Sequence, residues 1–217
     1  MRVTHLGHAC LLVEIADTRV LVDPGGFSAG FEDLRDLDAI IITHQHPDHL
    51  DQERLPALLR ANRQAAVHAD PQTAELIDWA GADVVTLSEG SDVALRSVTL
   101  SPIGQLHAVI HGGVPRPTNV GVVLRADGEP SIYHPGDAYD GEPGQVDLLA
   151  VPVSAPWAKV SESIAFVRRV APTGIIPIHE ALLSETGRKM YVGHIGTYGG
   201  DDLALHDLAD RQPAVIT

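Results

Sequence analysis

The sequence predicts an α/β fold in one domain, residues 1–217. Three observations predict it. Short runs of Val, Ile and Leu, bounded by Gly, Pro, Asn or Asp, recur along the chain and read as strands. Segments with apolar residues at helical spacing follow some of these strands in both halves, giving βα units. No repeat, low-complexity linker or shift in composition divides the chain, and 217 residues suit one domain of this class.

From the N-terminus, RVTHLG, CLLVEIA and RVLVDPGG read as three short strands split by turn residues. LDAIIITHQH is a continuous apolar run ending in polar residues, the pattern of a central strand that delivers side chains to a site at its C-terminal end. DQERLPALLRANR sets Leu55, Leu58 and Leu59 on one helical face. AAVHAD is a strand, and PQTAELIDWAGA is a helix with Pro71 near its start and Gly81 past its end. Short strands follow at 84–87, 93–95 and 98–103, and residues 105–119, with Gly and Pro among polar side chains, form a loop. GVVLRA, PSIYHPG and VDLLAVPV are strands, KVSESIAFVRRVAP is a helix that stops before Pro172, and GIIPIHE is a strand. The tail reads as loop alternating with short helix.

The net charge of −14, from 15 basic and 29 acidic residues, argues against a nucleic acid polymer as partner, because such binding needs a basic surface. It argues equally against docking on anionic membrane. A metal centre would still attract an anionic small-molecule substrate, since the cation dominates its own pocket. Cys10 is the single cysteine, so no intrachain disulfide forms, as suits a reducing cytoplasm. The N-terminal residues lack the apolar core of a signal peptide, and no stretch reaches the ~18 apolar residues of a membrane span. The expectation is a soluble cytoplasmic protein, with homo-oligomer formation left open.

Position sorts the 12 histidines. His44, His46, Asp48 and His49 crowd the end of the AIII run, and neutral imidazole and carboxylate are good ligands for zinc-like cations. His44 and His46 are two apart and suit one metal; Asp48 and His49 are adjacent, point differently and suit a second. One loop is not a sufficient site, since zinc takes three or more protein ligands. Other apolar runs end in His107 and His111, in His134 and Asp137, and in His179, each able to reach the same sheet edge.

With these residues in order, the chain resembles the metallo-β-lactamase superfamily. The resemblance rests on HxHxDH at His44, His46, Asp48 and His49, on Asp23 in VLVDPGG, on a middle His, on Asp137 in HPGDA, and on His179 after a strand. These motifs span residues 5 to 180, and the opening THLGHACLLVE is similar to the subgroup containing ascorbate-6-phosphate lactonase-like proteins. The resemblance implies an αβ/βα four-layer sandwich with the site at one edge of two facing sheets. It also implies two divalent metal ions, zinc first and manganese or iron as alternatives. His44, His46 and a middle His would hold one, Asp48, His49 and His179 the other, with Asp137 bridging. For the middle ligand, His107 is preferred to His111 because it emerges first after the VTLSPIG strand.

Several residues are expected around the ligands. Asp23 resembles the family's early aspartate and would support a ligand imidazole, or serve the turn before Pro24 and Gly25. His8 matches a His of the subgroup and would orient the site, touch substrate or be structural. His111 would line the pocket or be a solvated loop residue, and His134 would support a ligand from behind or face solvent. Trp157 would form a pocket wall or core; Glu180 would shuttle a proton or cap the next helix. Tyr139 and Asp140 adjoin the candidate loops, and Lys159 and Arg116 are the nearby cations for an anionic group.

The chemistry implied is hydrolysis by a hydroxide held between two metals, with Asp48 steering the water or passing a proton to the leaving group. GxSxG is absent, and no Ser or Cys stands in a nucleophile's setting. A lactone or other small ester is the expected substrate. The alternatives are a small phosphodiester, a non-catalytic metal-binding role, or a redox role with iron.

Overall fold

β1 (Arg2–His5), β2 (Leu11–Ile15), β3 (Thr18–Val22), β4 (Ala39–Ile42), β5 (Ala66–Ala69) and β6 (Val84–Thr86) lie side by side in chain order, antiparallel up to β3 and parallel from β3 onward. A second sheet runs β7 (Val93–Leu95), β8 (Val98–Ile103), β9 (Gly121–Arg125), β10 (Ile132–His134), β11 (Leu148–Pro152), β12 (Gly174–Ile178) and β13 (Ala204–Leu205), parallel from β10 onward. β14 (Ala214–Val215) returns to pair with β1 and completes the first sheet. This computed structural model describes residues 1–77 and 83–217.

The alternation of side chains along β4 shows how the layers form. Ile40 and Ile42 pack outward on Leu55 and Leu58 of α1 (Leu55–Ala61), while Ala39 and Ile41 face Val122, Ala150 and Ile176 of the other sheet. All four residues of β4 are buried, which is why the run reads as unbroken apolar sequence. In the second sheet Leu149, Val151 and Ile175 face α3 (Val160–Val170), with Phe166 and Val167, and α4 (Glu185–Tyr198), with Val192 and Ile195. The result is helix, sheet, sheet, helix: the αβ/βα sandwich expected from the motifs. Each fully buried Ile, Leu or Val here contributes about 1.5–3 kcal/mol.

Three details differ from the sequence reading, and one falls outside the described residues. Residues 51–54 form a turn, not the start of a helix, because Asp51 Oδ1 accepts the N–H groups of Glu53 (3.0 Å) and Arg54 (2.9 Å) and α1 begins after them. α2 (Pro71–Leu76) starts at Pro71 as expected, under an Asp70 cap, and the expected end of the helix before Gly81 lies outside the described residues. β6 ends one residue early. The tail holds a 14-residue helix and two short strands, not loop and short helix. Gly187, Gly193 and Gly196 lower the helix propensity of α4 and hide its apolar face, and packing of Val192 and Ile195 compensates. Among the described residues no helix is long and apolar enough to cross a membrane.

Candidate metal centre

Parallel strands deliver side chains at their C-terminal ends, and these ends meet at one edge of the two sheets. After β4 the chain is extended through His44 and His46, then tightens: the N–H groups of His49 and Leu50 both donate to His46 O at 2.9 Å. That turn sends Asp48 and His49 away from the first two histidines. The DPGG segment after β3 clamps it, with Gly26 N donating to Pro47 O at 2.7 Å and Asp51 N to Pro24 O at 3.0 Å. The approach is so close that a Cβ on Gly25 would lie 1.8 Å from Asp48 O.

Two groups of side chains result. His44, His46, His107 and Asp137 bring one ligand atom each to within 4.8 Å of one another, and so do His8, Asp48, His49 and His179. Asp137, after β10, stands between them. Its Oδ2 is 3.2 Å from His107 Nε2 and 4.0 Å from His44 Nε2; its Oδ1 is 3.0 Å from His49 Nε2 and 3.2 Å from His179 Nε2.

The outer nitrogen of each imidazole sets its tautomer. His107 Nδ1 donates to Ala108 O (2.6 Å), His179 Nδ1 to Ser154 O (2.7 Å) and His49 Nδ1 to Asp23 Oδ2 (2.7 Å). Thr43 Oγ1 donates to Asp23 Oδ2 at 2.8 Å, so it accepts from His44 Nδ1 at 3.1 Å. Four Nε2 lone pairs therefore face inward, and His46 adds its Nδ1 at 3.2 Å from His44 Nε2. The Nε2 atoms of His49, His107 and His179 and Asp137 Oδ1 are buried and make no hydrogen bond to the described residues. Buried lone pairs this close need a positive charge among them. Imidazole and carboxylate donors suit zinc-like cations, so the residues present fit two such ions.

His8, after β1, is the opposite tautomer. Ala181 N donates to its Nδ1 at 3.3 Å, so Nε2 carries the proton and donates to Asp48 Oδ2 at 3.1 Å. Its imidazole lies against that of His179 with centroids 3.9 Å apart. It is a donor to the second group, not one of its lone pairs.

The electrostatics match this division. Burial pushes Asp48 up, but the neighbouring His179, the hydrogen bond from His8 and the nearby His49 outweigh it and hold the carboxyl below the usual range. Burial opposes a charge on His49 and His179, but Asp137 overrides it in both, helped by Asp23 at His49, and raises His179 to about 9. Since Nδ1 already donates in both rings, the added proton sits on Nε2, the position for which a cation competes. Burial and neighbouring imidazoles push His44 well down, and burial lowers His8 to about 4.

The other expected residues divide clearly. Asp23, fully buried, accepts from Thr43 N, Thr43 Oγ1 and His49 Nδ1. Trp157 Nε1 donates to Asp137 Oδ2 at 2.9 Å. His111 lies outside both groups, exposed, with Nδ1 accepting from Gly113 N. Glu180 neither lines the centre nor caps α4; its Oε1 is 3.6 Å from His5 Nε2, and Ser184 is the cap. His134 is buried, not solvent-facing, with Nε2 donating to Ala9 O. Cys10 is buried and burial pushes its thiol up, as for a structural residue. Lys159 is exposed beside Glu162, whereas Arg116 Nε donates to His107 O.

Three supporting residues escaped the sequence reading. Thr43 links Asp23 to His44, Ser154 O holds His179, and Asn119 Oδ1 accepts from Asp137 N at 2.9 Å. Ser154 contributes only a carbonyl, which leaves no trace in residue identity. Thr43 and Asn119 flank recognised segments, and that adjacency was the one available signal.

Two adjacent His/Asp groups at one edge of an αβ/βα sandwich define the metallo-β-lactamase class of fold and candidate site. The chain belongs to this superfamily: the family model described as a beta-lactamase superfamily domain matches residues 2–179. It is 43% identical over 198 residues to Protein Rv0786c of Mycobacterium tuberculosis, covering 90% of this chain and 91% of that one. It is 28% identical to UPF0173 metal-dependent hydrolase MK1542 of Methanopyrus kandleri, covering 82% and 84%. Among solved structures, Igni18, a metallo hydrolase from Ignicoccus hospitalis, superposes with a TM-score of 0.74 at 16% identity over 100% of this chain and 99% of that one. The metallo-beta-lactamase fold protein YhfI of Bacillus subtilis gives 0.72 at 15% identity, covering 94% and 95%.

Proposed function

We propose that the protein is a metal-dependent hydrolase of one domain, acting on a small ester or lactone. His44, His46 and His107 would hold one cation, Asp48, His49 and His179 the other, and Asp137 would bridge them. The position of Asp137 between two sets of inward lone pairs carries this reading. Divalent cations bound there, zinc first, would supply a water of pKa near ~7 and polarise the substrate oxygen.

The chain's own residues do the rest. Asp23, Ala108 O and Ser154 O hold the Nδ1–H groups of His49, His107 and His179 and so turn each Nε2 to the inner side, where a cation competes with a proton. Trp157 donates to Asp137 Oδ2 and limits how that carboxylate can turn. Asp48 is the open acid of the centre, with a side chain 20% exposed against 4% for Asp137. It is the group that passes a proton from the attacking water to the leaving group, while His8 holds its Oδ2. The ester and lactone preference rests on the likeness of THLGHACLLVE to lactonase-like proteins.

The test is a metal count on protein loaded separately with zinc, manganese and iron, followed by lactone, ester and bis-nitrophenyl phosphate panels. Two equivalents in the wild type, a loss with His107→Ala and none with His111→Ala are expected. Turnover of the phosphodiester alone would replace the ester reading. Two bound metals with every panel blank would favour a binding role instead.

A further inference from the structure

A cavity of about 500 Å³ opens on the His107 side of the centre. Two of its lining residues, Ala108 and Trp157, touch Asp137 directly. Ala108 N donates to Asp137 O at 2.7 Å, and Trp157 Nε1 donates to Asp137 Oδ2. Beyond Trp157 the wall is aromatic: Trp157 meets Tyr139 edge-on at 4.8 Å, and Tyr139 lies 4.8 Å from Phe166. Tyr139 Oη donates to Pro152 O at 2.6 Å, which locks the ring in place. Only 4% of the chain is aromatic, so Trp157 and Tyr139 in one wall, backed by the buried Phe166, are a concentrated apolar surface. Val109, 58% exposed, lines the same cavity. Rigid aromatic walls of this kind suit a flat apolar group.

The cavity also has two cations, in different states. Arg169 is committed: it donates to Glu142 Oε1 at 2.6 Å and to the carbonyls of Gly141 and Tyr139, and it lies over the Phe166 ring. Arg116 is anchored at one edge only, by Nε on His107 O, which aims the guanidinium from the backbone of a ligand residue. Its Nη2 is 3.4 Å from Asp140 Oδ2, a long contact to a carboxylate whose side chain is 68% exposed. Exposed pairs of that kind contribute little, and a carboxylate in better geometry displaces Asp140. The remaining acid on the wall, Glu162, is turned to Lys159 N at 2.7 Å.

We propose that this cavity is the specificity pocket of the substrate, which carries an aromatic body against Trp157 and Tyr139 and a carboxylate on Arg116. The proposal rests on the hydrolase reading above and narrows it to an anionic aromatic ester or lactone.

Its test is binding to metal-free protein, where no metal ion can attract the probe. 3-Phenylpropionate, its amide and propionate are titrated by calorimetry and by tryptophan fluorescence, with Trp157→Phe assigning the signal. 3-Phenylpropionate is expected to bind at least tenfold tighter than either other probe. Arg116→Gln should remove the preference for acid over amide, and Ala165→Trp, at an exposed helix position lining the cavity, should block both aromatic probes. Equal affinity for acid and amide, or undiminished binding in Ala165→Trp, would overturn the pocket. If the protein binds two metals and turns over an ester but no probe binds, the pocket falls and the hydrolase stands. If the probes bind as expected but the protein takes up no metal, the hydrolase reading falls, and with it the pocket's role for a substrate.

Discussion

His8 Nε2 donates to Asp48 Oδ2 at 3.1 Å, with its tautomer set by Ala181 N on Nδ1. Asp48 lies on the turn that follows His46, and among the described residues no other hydrogen bond reaches that oxygen; His179 Nε2 stands 3.4 Å from it. The imidazole therefore fixes which way the carboxylate faces. Its effect should appear in metal binding before it appears in folding.

For His8→Ala, affinity at the Asp48, His49, His179 position should fall about 10–100-fold, the usual effect of losing an outer partner. The other position should be little changed. Competition titration with a chromophoric chelator reads both steps, and an equal fall at both positions would show that His8 acts on the whole edge.

Asp23 is a structural support as much as a site residue. Asp23→Ala leaves Thr43 N and His49 Nδ1 as buried donors without a partner, at about 1–3 kcal/mol each. Urea unfolding should show a loss of at least ~2 kcal/mol. Asp23→Asn, which keeps one carbonyl acceptor, should lose less. A change below ~1 kcal/mol for Asp23→Ala would mean that water replaces the carboxylate.

Gly25 is a test of the clamp between two turns. Since its Cβ would meet Asp48 O at 1.8 Å, Gly25→Ala must displace the Asp48 backbone. The metal count should drop at the Asp48 position first. Gly112→Ala, where a Cβ meets nothing within 4 Å, is the matched control and should keep the full count.

His68 on β5 is buried, makes no hydrogen bond to the described residues at either ring nitrogen, and is held below its usual pKa by burial. The unfolded chain then binds the proton that the folded chain refuses. Its contribution to stability is therefore present above pH ~6.5 and is lost as pH falls below that value, at about 1.4 kcal/mol per unit of depression. Denaturation midpoints at pH 7.5 and 5.5 should differ less in His68→Leu than in the wild type. Equal differences would show that His68 finds a partner when protonated.

Much of this protein is legible in its sequence. The strand runs, the AIII segment and the spacing of His44, His46, Asp48 and His49 follow from local periodicity and side-chain chemistry, which residue identity encodes directly. α4 is not legible, because its glycines suppress the periodic signal and α3 supplies the stabilising contact. β13 and β14 are too short to show alternation and exist only through pairing with β12 and β1.

The candidate ligands divide in the same way. That His, Asp and Gly stand at strand ends is written in the chain, since a run of apolar residues ending in polar ones needs no partner to be seen. Which imidazole nitrogen faces inward was decided by Asp23, Ala108 O, Ser154 O and Ala181 N, groups up to 173 positions away from the rings they hold. His107 and His111 are alike in sequence; the fold buries one against Asp137 and leaves the other exposed. A tautomer depends on what lies within about 3 Å of a ring, and that distance is a property of the packed chain alone.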